Sequence, residues 1–150
     1  MELILWRHAE AEEGVSDLER ELTHKGHKQA EKMAAFLHAH LPEHTRVLAS
    51  PAMRSQQTAL AFNKTFATEP AVGPDASVQS VLQAAGWPDA EGAVLVVGHQ
   101  PVLGQIAALL LADSGNSFSV KKGAIWWFSR HTEDGDYQTK LRLAIAPENL

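Results

Sequence analysis

Short apolar runs alternate with amphipathic stretches along the first three quarters of the chain. Residues 3–6, 47–49 and 93–97 are uninterrupted apolar runs, a pattern typical of strands that are buried on both faces of a sheet. In the segments that follow these runs, apolar residues recur every three or four positions, which predicts helices with one buried face. Strands that alternate with helices predict an α/β fold with parallel strands.

Capping residues indicate where the first two predicted helices begin. Thr23 is expected to cap the first helix and Pro42 to end it. The buried face of this helix is formed by Ala30, Met33, Ala34, Leu37 and Leu41. Ser50 is expected to cap the second helix, with Pro51 at its first position. That helix continues through Thr58, Ala59, Phe62 and Phe66.

The remaining pattern predicts two more helices and a hairpin. Residues 78–85 form a short third helix, and a fourth follows the turn at 98–101, with an apolar face of Leu103, Ile106, Ala107, Leu110 and Leu111. Residues 123–130 and 137–145 are strand-like and flank the turn sequence EDGD. We therefore predict a three-layer α/β/α sandwich, with a mostly parallel central sheet and an antiparallel edge hairpin.

Composition narrows the class of protein. A chain of 150 residues is expected to form one domain, residues 1–150. The net charge of −5 argues against nucleic acid as the main partner, because phosphate contacts need a dense positive face. The chain has no cysteine, which excludes disulfides, zinc-thiolate sites and a cysteine nucleophile. Neither a membrane span nor a signal peptide is recognisable, so a cytoplasmic location is expected.

Charged and imidazole side chains follow three of the predicted strands. Arg7 and His8 end the first, Arg54 lies just after the second, and His99 follows the third. Ligands of open α/β sheets bind at the carboxyl ends of strands, so these groups are expected to converge. Two guanidinium groups can clamp a phosphoryl group, and a neutral imidazole can attack it. The neighbouring cations favour the neutral form of His8.

Four motifs strengthen this interpretation. They are LxLxRHAxAE, LTxKGxxQA, SPxxRxxQTA and VGHQPxL, in this order. Together they resemble the histidine phosphatase superfamily, which has the phosphoglycerate mutase-like fold. The chain is also similar in two respects to the phosphohistidine phosphatase SixA subfamily of that superfamily. It is short, and it ends with the segment VKKGAIWWF, a predicted hairpin and the segment APENL.

The resemblance implies a role for each matched residue. His8 would be the nucleophile that becomes phosphohistidine, and Arg7 and Arg54 would bind the phosphoryl group. His99, in its protonated form, would donate to the transferring oxygens. The LTHKG segment would place the loop after the first strand. The family uses no metal and no cofactor, since arginine and histidine supply the positive charge.

Two features depart from the wider superfamily. The usual motif is Arg-His-Gly, but here the residue after His8 is Ala9. SixA-like chains tolerate alanine at this position. Larger relatives carry a general acid in a lid inserted after the second arginine, but the segment between Arg54 and His99 is too short for a large lid. Glu10, Glu69 and Asp75 are candidates for such an acid by position only.

These features imply a phosphatase that acts on phosphohistidine in a protein, such as a histidine phosphotransfer domain of a signalling relay. An imidazole leaving group can be protonated near neutral pH and needs little help from an acid. No nucleic-acid or membrane partner is expected, and a monomer is the default expectation.

Alternative functions stay open at this point. The first is a phosphatase for small phosphomonoesters. The second is a phosphate-binding module without activity. The third is a metal hydrolase that uses His8, Glu10 and Glu12. The pair Lys121 and Lys122 could guide an acidic partner, although a solvated pair is the simpler interpretation.

Overall fold

A computed structural model describes residues 1–150. The strands are β1 (Glu2–Arg7), β2 (Arg46–Ala49), β3 (Ala67–Thr68), β4 (Ala93–Gly98), β5 (Ile125–Glu133) and β6 (Asp136–Ile145). The α-helices are α1 (His24–His40), α2 (Met53–Phe62), α3 (Val78–Ala85) and α4 (Val102–Ala112). Three 3₁₀ turns complete the regular structure, at Asp17–Glu19, Pro70–Val72 and Pro147–Asn149.

All six strands form one sheet, in the order β3-β2-β4-β1-β5-β6. The pairs β1–β4, β2–β4 and β2–β3 are parallel, whereas β5 pairs antiparallel with both β1 and β6. The predicted fold class and the antiparallel edge hairpin are thereby confirmed. Asp134 and Gly135 make the hairpin turn with φ of 50° and 86°, as the EDGD sequence predicts.

Helices cover both faces of the sheet. Leu3 and Leu5 of β1 pack on one face with residues of α3 and α4, while Ile4 and Trp6 pack on the other with residues of α1 and α2. Successive residues of a strand point to opposite faces, so an all-apolar strand needs a core on each side. The result is the predicted three-layer sandwich.

The predicted start of the second helix is wrong. The helix α2 begins at Met53, and Ser50 and Pro51 lie in the preceding turn. The Ser50 hydroxyl accepts a hydrogen bond from the backbone N–H of Ala52, two residues on. This local bond closes a turn in place of a helix cap, and it leaves Ser50 next to the carboxyl end of β2.

The predicted end of the same helix is also wrong. The helix stops at Phe62, and Asn63 is extended. Phe66 lies beyond it but still packs against the core shared with α1 and α2. The two-residue strand β3 that follows was not predicted, because both of its residues are exposed and show no apolar pattern.

The other helices follow the sequence pattern closely. Thr23 caps α1 by accepting a hydrogen bond from the N–H of Gly26, and α3 has the predicted bounds. Leu111 of α4, expected on the apolar face, is exposed instead. Of the two tryptophans of β5, Trp127 is buried and Trp126 is half-buried. None of the helices has the length and apolar character that crossing a bilayer requires.

Candidate active site

The carboxyl ends of β1 and β4 bring two histidines together. Arg7 pairs with Gly98 across these parallel strands, so His8 and His99 follow at the same level. The backbone N–H of His8 donates to the Gly98 carbonyl at 3.0 Å, which holds the junction. The two imidazole rings have their centroids 5.2 Å apart and are tilted by 55°. The convergence expected from the sequence is therefore present.

Hydrogen bonding defines the tautomer of His8. Its Nδ1 lies 2.7 Å from the carbonyl oxygen of Ala9. Because a carbonyl only accepts hydrogen bonds, Nδ1 must carry the proton and donate it. In the neutral ring the Nε2 atom then keeps a free lone pair. This is the atom that can act as a nucleophile.

The surroundings of His8 keep it neutral. Burial is the main cause that lowers the pKa of His8 to about 4, and the charges of Arg54 and Arg7 lower it further. The hydrogen bond to the Ala9 carbonyl acts in the opposite direction. At pH 7 the ring is therefore uncharged, as its neighbouring arginines had suggested.

Arg54 extends from the first turn of α2 into the same region. Its side chain is only 5% exposed. One Nη atom donates to the backbone carbonyl of Asp17 at 2.7 Å, and the other contacts an Asp17 carboxylate oxygen at 3.2 Å. Asp17 was not predicted, because it lies in a polar loop far from Arg54 along the chain.

Arg7 supplies a second guanidinium group from the end of β1. It is partly buried and donates to the carbonyl of Val120 at 3.0 Å. Burial and the like charge of Arg54 both lower the pKa of Arg7. The Nε–H groups of Arg7 and Arg54 are buried and have no acceptor. Unpaired buried donors are rare in proteins, and an anionic ligand would supply the missing acceptors.

His99 lies in a network of polar side chains. Its Nε2 is 2.7 Å from the Ser50 hydroxyl and 3.4 Å from that of Ser55, and its Nδ1 is 3.5 Å from Arg54. A guanidinium can only donate, so Nδ1 accepts and Nε2 carries the proton.

The protonation state of His99 differs from the expected one. Burial, followed by the interaction with His8, lowers the pKa of His99 to about 3. Without a bound anion, His99 is thus neutral at pH 7 and not protonated. A dianionic group placed beside it would raise this pKa and favour the charged form.

Two further polar residues organise the site and were missed. The hydroxyl of Thr58 accepts from the N–H of Ala9 at 3.0 Å and donates to the carbonyl of Arg54 at 2.7 Å. Ser55 and Thr58 are fully buried on the inner face of α2. The signal that could have found them is polar residues at the buried positions of an amphipathic helix, since such residues need specific partners.

The LTHKG segment holds the loop after β1, as its resemblance had implied. Thr23 donates from its hydroxyl to a Glu10 carboxylate oxygen at 2.8 Å, and Gln29 accepts from the N–H of Glu10 at 3.0 Å. A Cβ atom on Gly26 would lie 2.0 Å from the Glu10 carbonyl oxygen. Only glycine permits α1 to approach the loop this closely.

The carboxylates named from the sequence have other contacts. Glu10 is bonded to Thr23, and Glu69 accepts from the N–H of Ala71. Asp75 is exposed and lines a cavity with Pro51 and Leu18. No three histidine, aspartate or glutamate side chains lie close enough together to hold a metal ion, so the metal site formed from His8, Glu10 and Glu12 is not assembled.

Comparison with known proteins shows similarity to one superfamily. The family model of the histidine phosphatase superfamily (branch 1) matches residues 3–76, which include His8 and Arg54. Searching the curated protein sequences finds no match. This match confirms the predicted resemblance to the histidine phosphatase superfamily.

Solved structures extend the similarity to nearly the whole chain. A protein assigned as phosphohistidine phosphatase SixA from Nakamurella multipartitia is 27% identical, with a TM-score of 0.78, over 97% of this chain and 95% of its own. The protein histidine phosphatase SixA in complex with tungstate is also 27% identical, with a TM-score of 0.76 and 99% of both chains covered. A phosphoserine phosphatase from Entamoeba histolytica shares the fold at 16% identity, with a TM-score of 0.73 over 99% of this chain and 98% of its own.

Proposed function

We propose that this chain is a phosphohistidine phosphatase that acts on phosphohistidine in a protein, through a covalent intermediate on His8. One observation carries the proposal. The neutral His8 has a free Nε2 lone pair beside Arg7 and Arg54, whose buried Nε–H groups have no acceptor. A nucleophile with unpaired cationic donors beside it is suited to phosphoryl transfer.

In the first proposed step, Nε2 of His8 attacks the phosphorus atom of the substrate. The bond from phosphorus to the substrate imidazole breaks, and its electron pair leaves with that nitrogen. When the other nitrogen of the substrate ring is protonated, the leaving group is a neutral imidazole. Arg7 and Arg54 stabilise the charge on the equatorial oxygens, so the step requires no metal ion.

In the second step, water attacks the phosphoryl group on His8. The bond between phosphorus and Nε2 breaks, its electron pair returns to Nε2, and dihydrogen phosphate is released. The bond from Nδ1–H to the Ala9 carbonyl persists through both steps and keeps the ring in one orientation. His99, which becomes protonated beside the dianionic group, donates to one of its oxygens.

Two observations support the proposed substrate class. The segment between Arg54 and His99 contains most of α2, the short strand β3, a 3₁₀ turn, α3 and β4, which leaves no room for a large inserted lid. A site without a large lid is suited to a histidine that is presented on the surface of a protein. Two SixA structures share the fold across the chain, and one of them holds tungstate, an oxyanion that resembles phosphate.

The test compares substrates and traps the intermediate. The chain is given a phosphorylated histidine phosphotransfer domain and a panel of small esters that includes phosphoserine and sugar phosphates. We expect a clear preference for the phosphorylated domain and an acid-labile phosphoryl label on His8. A strong preference for esters would overturn the substrate class in favour of a small-molecule phosphatase. Binding of phosphate without turnover of any substrate would indicate a non-enzymatic module.

A further inference from the structure

A groove with a high density of lysines lies beside the proposed active site. It has a volume of about 580 Å³, and Arg7 is part of its lining. Five lysines line it, namely Lys25, Lys28, Lys32, Lys121 and Lys122. We call this surface the lysine groove. Apart from Pro147, every residue that lines it is charged or polar.

The lysines come from two distant parts of the chain. Lys25, Lys28 and Lys32 are spaced by three and four residues on α1 and share one face. Lys121 and Lys122 precede β5 on the other side. Residues 25 and 32 are separated by about 10 Å along the helix axis, so the positive surface extends well beyond the size of one phosphoryl group.

Most of this charge is not compensated within the protein. Lys121 pairs with Glu148 at 2.7 Å, and Lys32 donates to two backbone carbonyls near the C-terminus. The side chains of Lys25, Lys28 and Lys122 form no ion pair and no hydrogen bond. Two carboxylates, Glu10 and Glu148, also line the groove, so its five lysines and Arg7 outnumber its acidic groups by four. This concentration of cations stands out in a chain whose net charge is −5.

The position of two lysines is unfavourable for the helix itself. Lys25 lies in the first turn of α1 and Lys28 directly after it, and that first turn contains no acidic residue. The amino end of a helix carries a partial positive charge, which favours carboxylates there and disfavours lysines. Stability of α1 therefore does not explain these residues, whereas attraction of an acidic ligand does.

We propose that the lysine groove docks an acidic surface of the protein that carries the phosphorylated histidine. This inference rests on the proposed function. A phosphorylated protein with an acidic surface can present its phosphoryl group to Arg7 and its carboxylates to the lysines of α1 at the same time. The polar lining suits charge-mediated docking, which speeds association and weakens as salt increases.

The test uses charge reversal with a matched control. Two variants alter the groove, the double variant Lys25→Glu, Lys28→Glu and the single variant Lys122→Glu. The control is Lys64→Glu, which changes an exposed lysine outside the groove, in the loop after α2. Each variant is assayed on a phosphorylated histidine phosphotransfer domain with an acidic surface and on free phosphohistidine. The corresponding glutamine variants provide a second, milder set.

For the groove variants we expect kcat/KM on the phosphorylated domain to fall by about tenfold at low salt, mostly through KM. The loss should shrink at 0.5 M salt, where charges are screened within a few ångströms. Activity on free phosphohistidine should stay within twofold of the wild type, which also reports that the variants fold. The Lys64 variant should match the wild type on both substrates.

Other outcomes separate the two proposals. Equal losses on both substrates, or no loss on either, would overturn docking while the phosphatase function stands. The groove variants are also tested with vesicles that contain anionic lipid. If these variants lose binding to the vesicles but keep wild-type kinetics on the phosphorylated domain, the docking proposal is overturned as well. If the wild type hydrolyses neither phosphohistidine substrate, the proposed function fails, and docking of that partner fails with it.

Discussion

The Nδ1 atom of His8 donates a hydrogen bond of 2.7 Å to the carbonyl oxygen of the next residue, Ala9. This short contact determines which ring nitrogen is free to react. Ala9 is itself held in place, because its N–H donates to the Thr58 hydroxyl. The orientation of the proposed nucleophile is therefore set by backbone groups, with no carboxylate partner. Without a carboxylate partner to favour the charged form, the buried ring stays neutral.

Replacing His8 with asparagine should abolish turnover. The amide can still donate to the Ala9 carbonyl, but it has no nucleophilic lone pair, so the covalent route is lost. Phosphate release and acid-labile labelling of the protein measure the effect. The matched variant His24→Asn, at an exposed position of α1, should keep full activity. Normal turnover in the His8 variant would refute the assignment of the nucleophile.

Replacing Arg54 with alanine should lower kcat by about 10² to 10³, which corresponds to a loss of roughly 3–4 kcal/mol of transition-state stabilisation. Arg7→Ala should have a loss of similar size. Arg54→Lys should recover only part of the rate, because an ammonium group lacks the planar donors of guanidinium. Steady-state kinetics provide the measurement, with Arg46→Ala on the exposed part of β2 as control. A loss seen only in KM would show that Arg54 binds the ground state alone.

The stability of the protein should fall as the pH is lowered from about 6.5 to about 4. The pKa of His8 is about 4 and that of His99 about 3 in the folded protein, against about 6.5 when unfolded. In this window the unfolded chain binds protons that the folded protein does not, so acid favours unfolding. Each histidine contributes at most about 1.4 kcal/mol per pH unit.

Denaturant titrations at several pH values check this expectation, and nuclear magnetic resonance can follow the imidazole of His8 directly. His99→Asn should have a shallower dependence on pH than the wild type. An imidazole resonance of His8 that titrates near 6.5 would contradict the proposed environment.

Replacing Asp17 with asparagine should strengthen the binding of inorganic phosphate. The Asp17 carboxylate occupies one Nη atom of Arg54 at 3.2 Å, so it competes with an incoming anion for the same donors. Since the Asp17 side chain is 57% exposed, the gain should be modest, about threefold to tenfold in Kd. Calorimetry with phosphate measures it, and Glu19→Gln in the same 3₁₀ turn is the control. Weaker binding would mean that Asp17 positions Arg54 for the ligand.

Replacing Gly26 with alanine should destabilise the protein and reduce activity. The new Cβ atom would lie 2.0 Å from the Glu10 carbonyl oxygen, and that atom belongs to the backbone two residues after His8. Relief of the clash must move α1 or this loop, at a cost of about 1–3 kcal/mol. Gly115→Ala is the matched control, because no atom beyond its adjacent residues lies within 4 Å of its Cβ position. Thermal unfolding of both variants tests the prediction.

Much of this molecule could be predicted from local pattern. Neighbours within a few residues determine three kinds of feature. These are the apolar runs at the centres of β1, β2 and β4, the Thr23 cap, and the 3.6-residue periodicity of α1 and α4. Four motifs and the rule that ligands bind at the carboxyl ends of parallel strands were enough to select Arg7, His8, Arg54 and His99. Where a local polar contact competed with the pattern, as at Ser50, the prediction failed.

Only the tertiary structure decided the properties that depend on burial and on contacts between residues far apart in the sequence. The low pKa values of His8 and His99 result from desolvation, which no local pattern reports. The contact of Asp17 with Arg54 joins residues 37 positions apart. The lysine groove likewise exists only because folding places α1 beside the segment before β5. The sequence alone was enough to propose which residues carry the chemistry, whereas packing determined their charge, tautomer and partners.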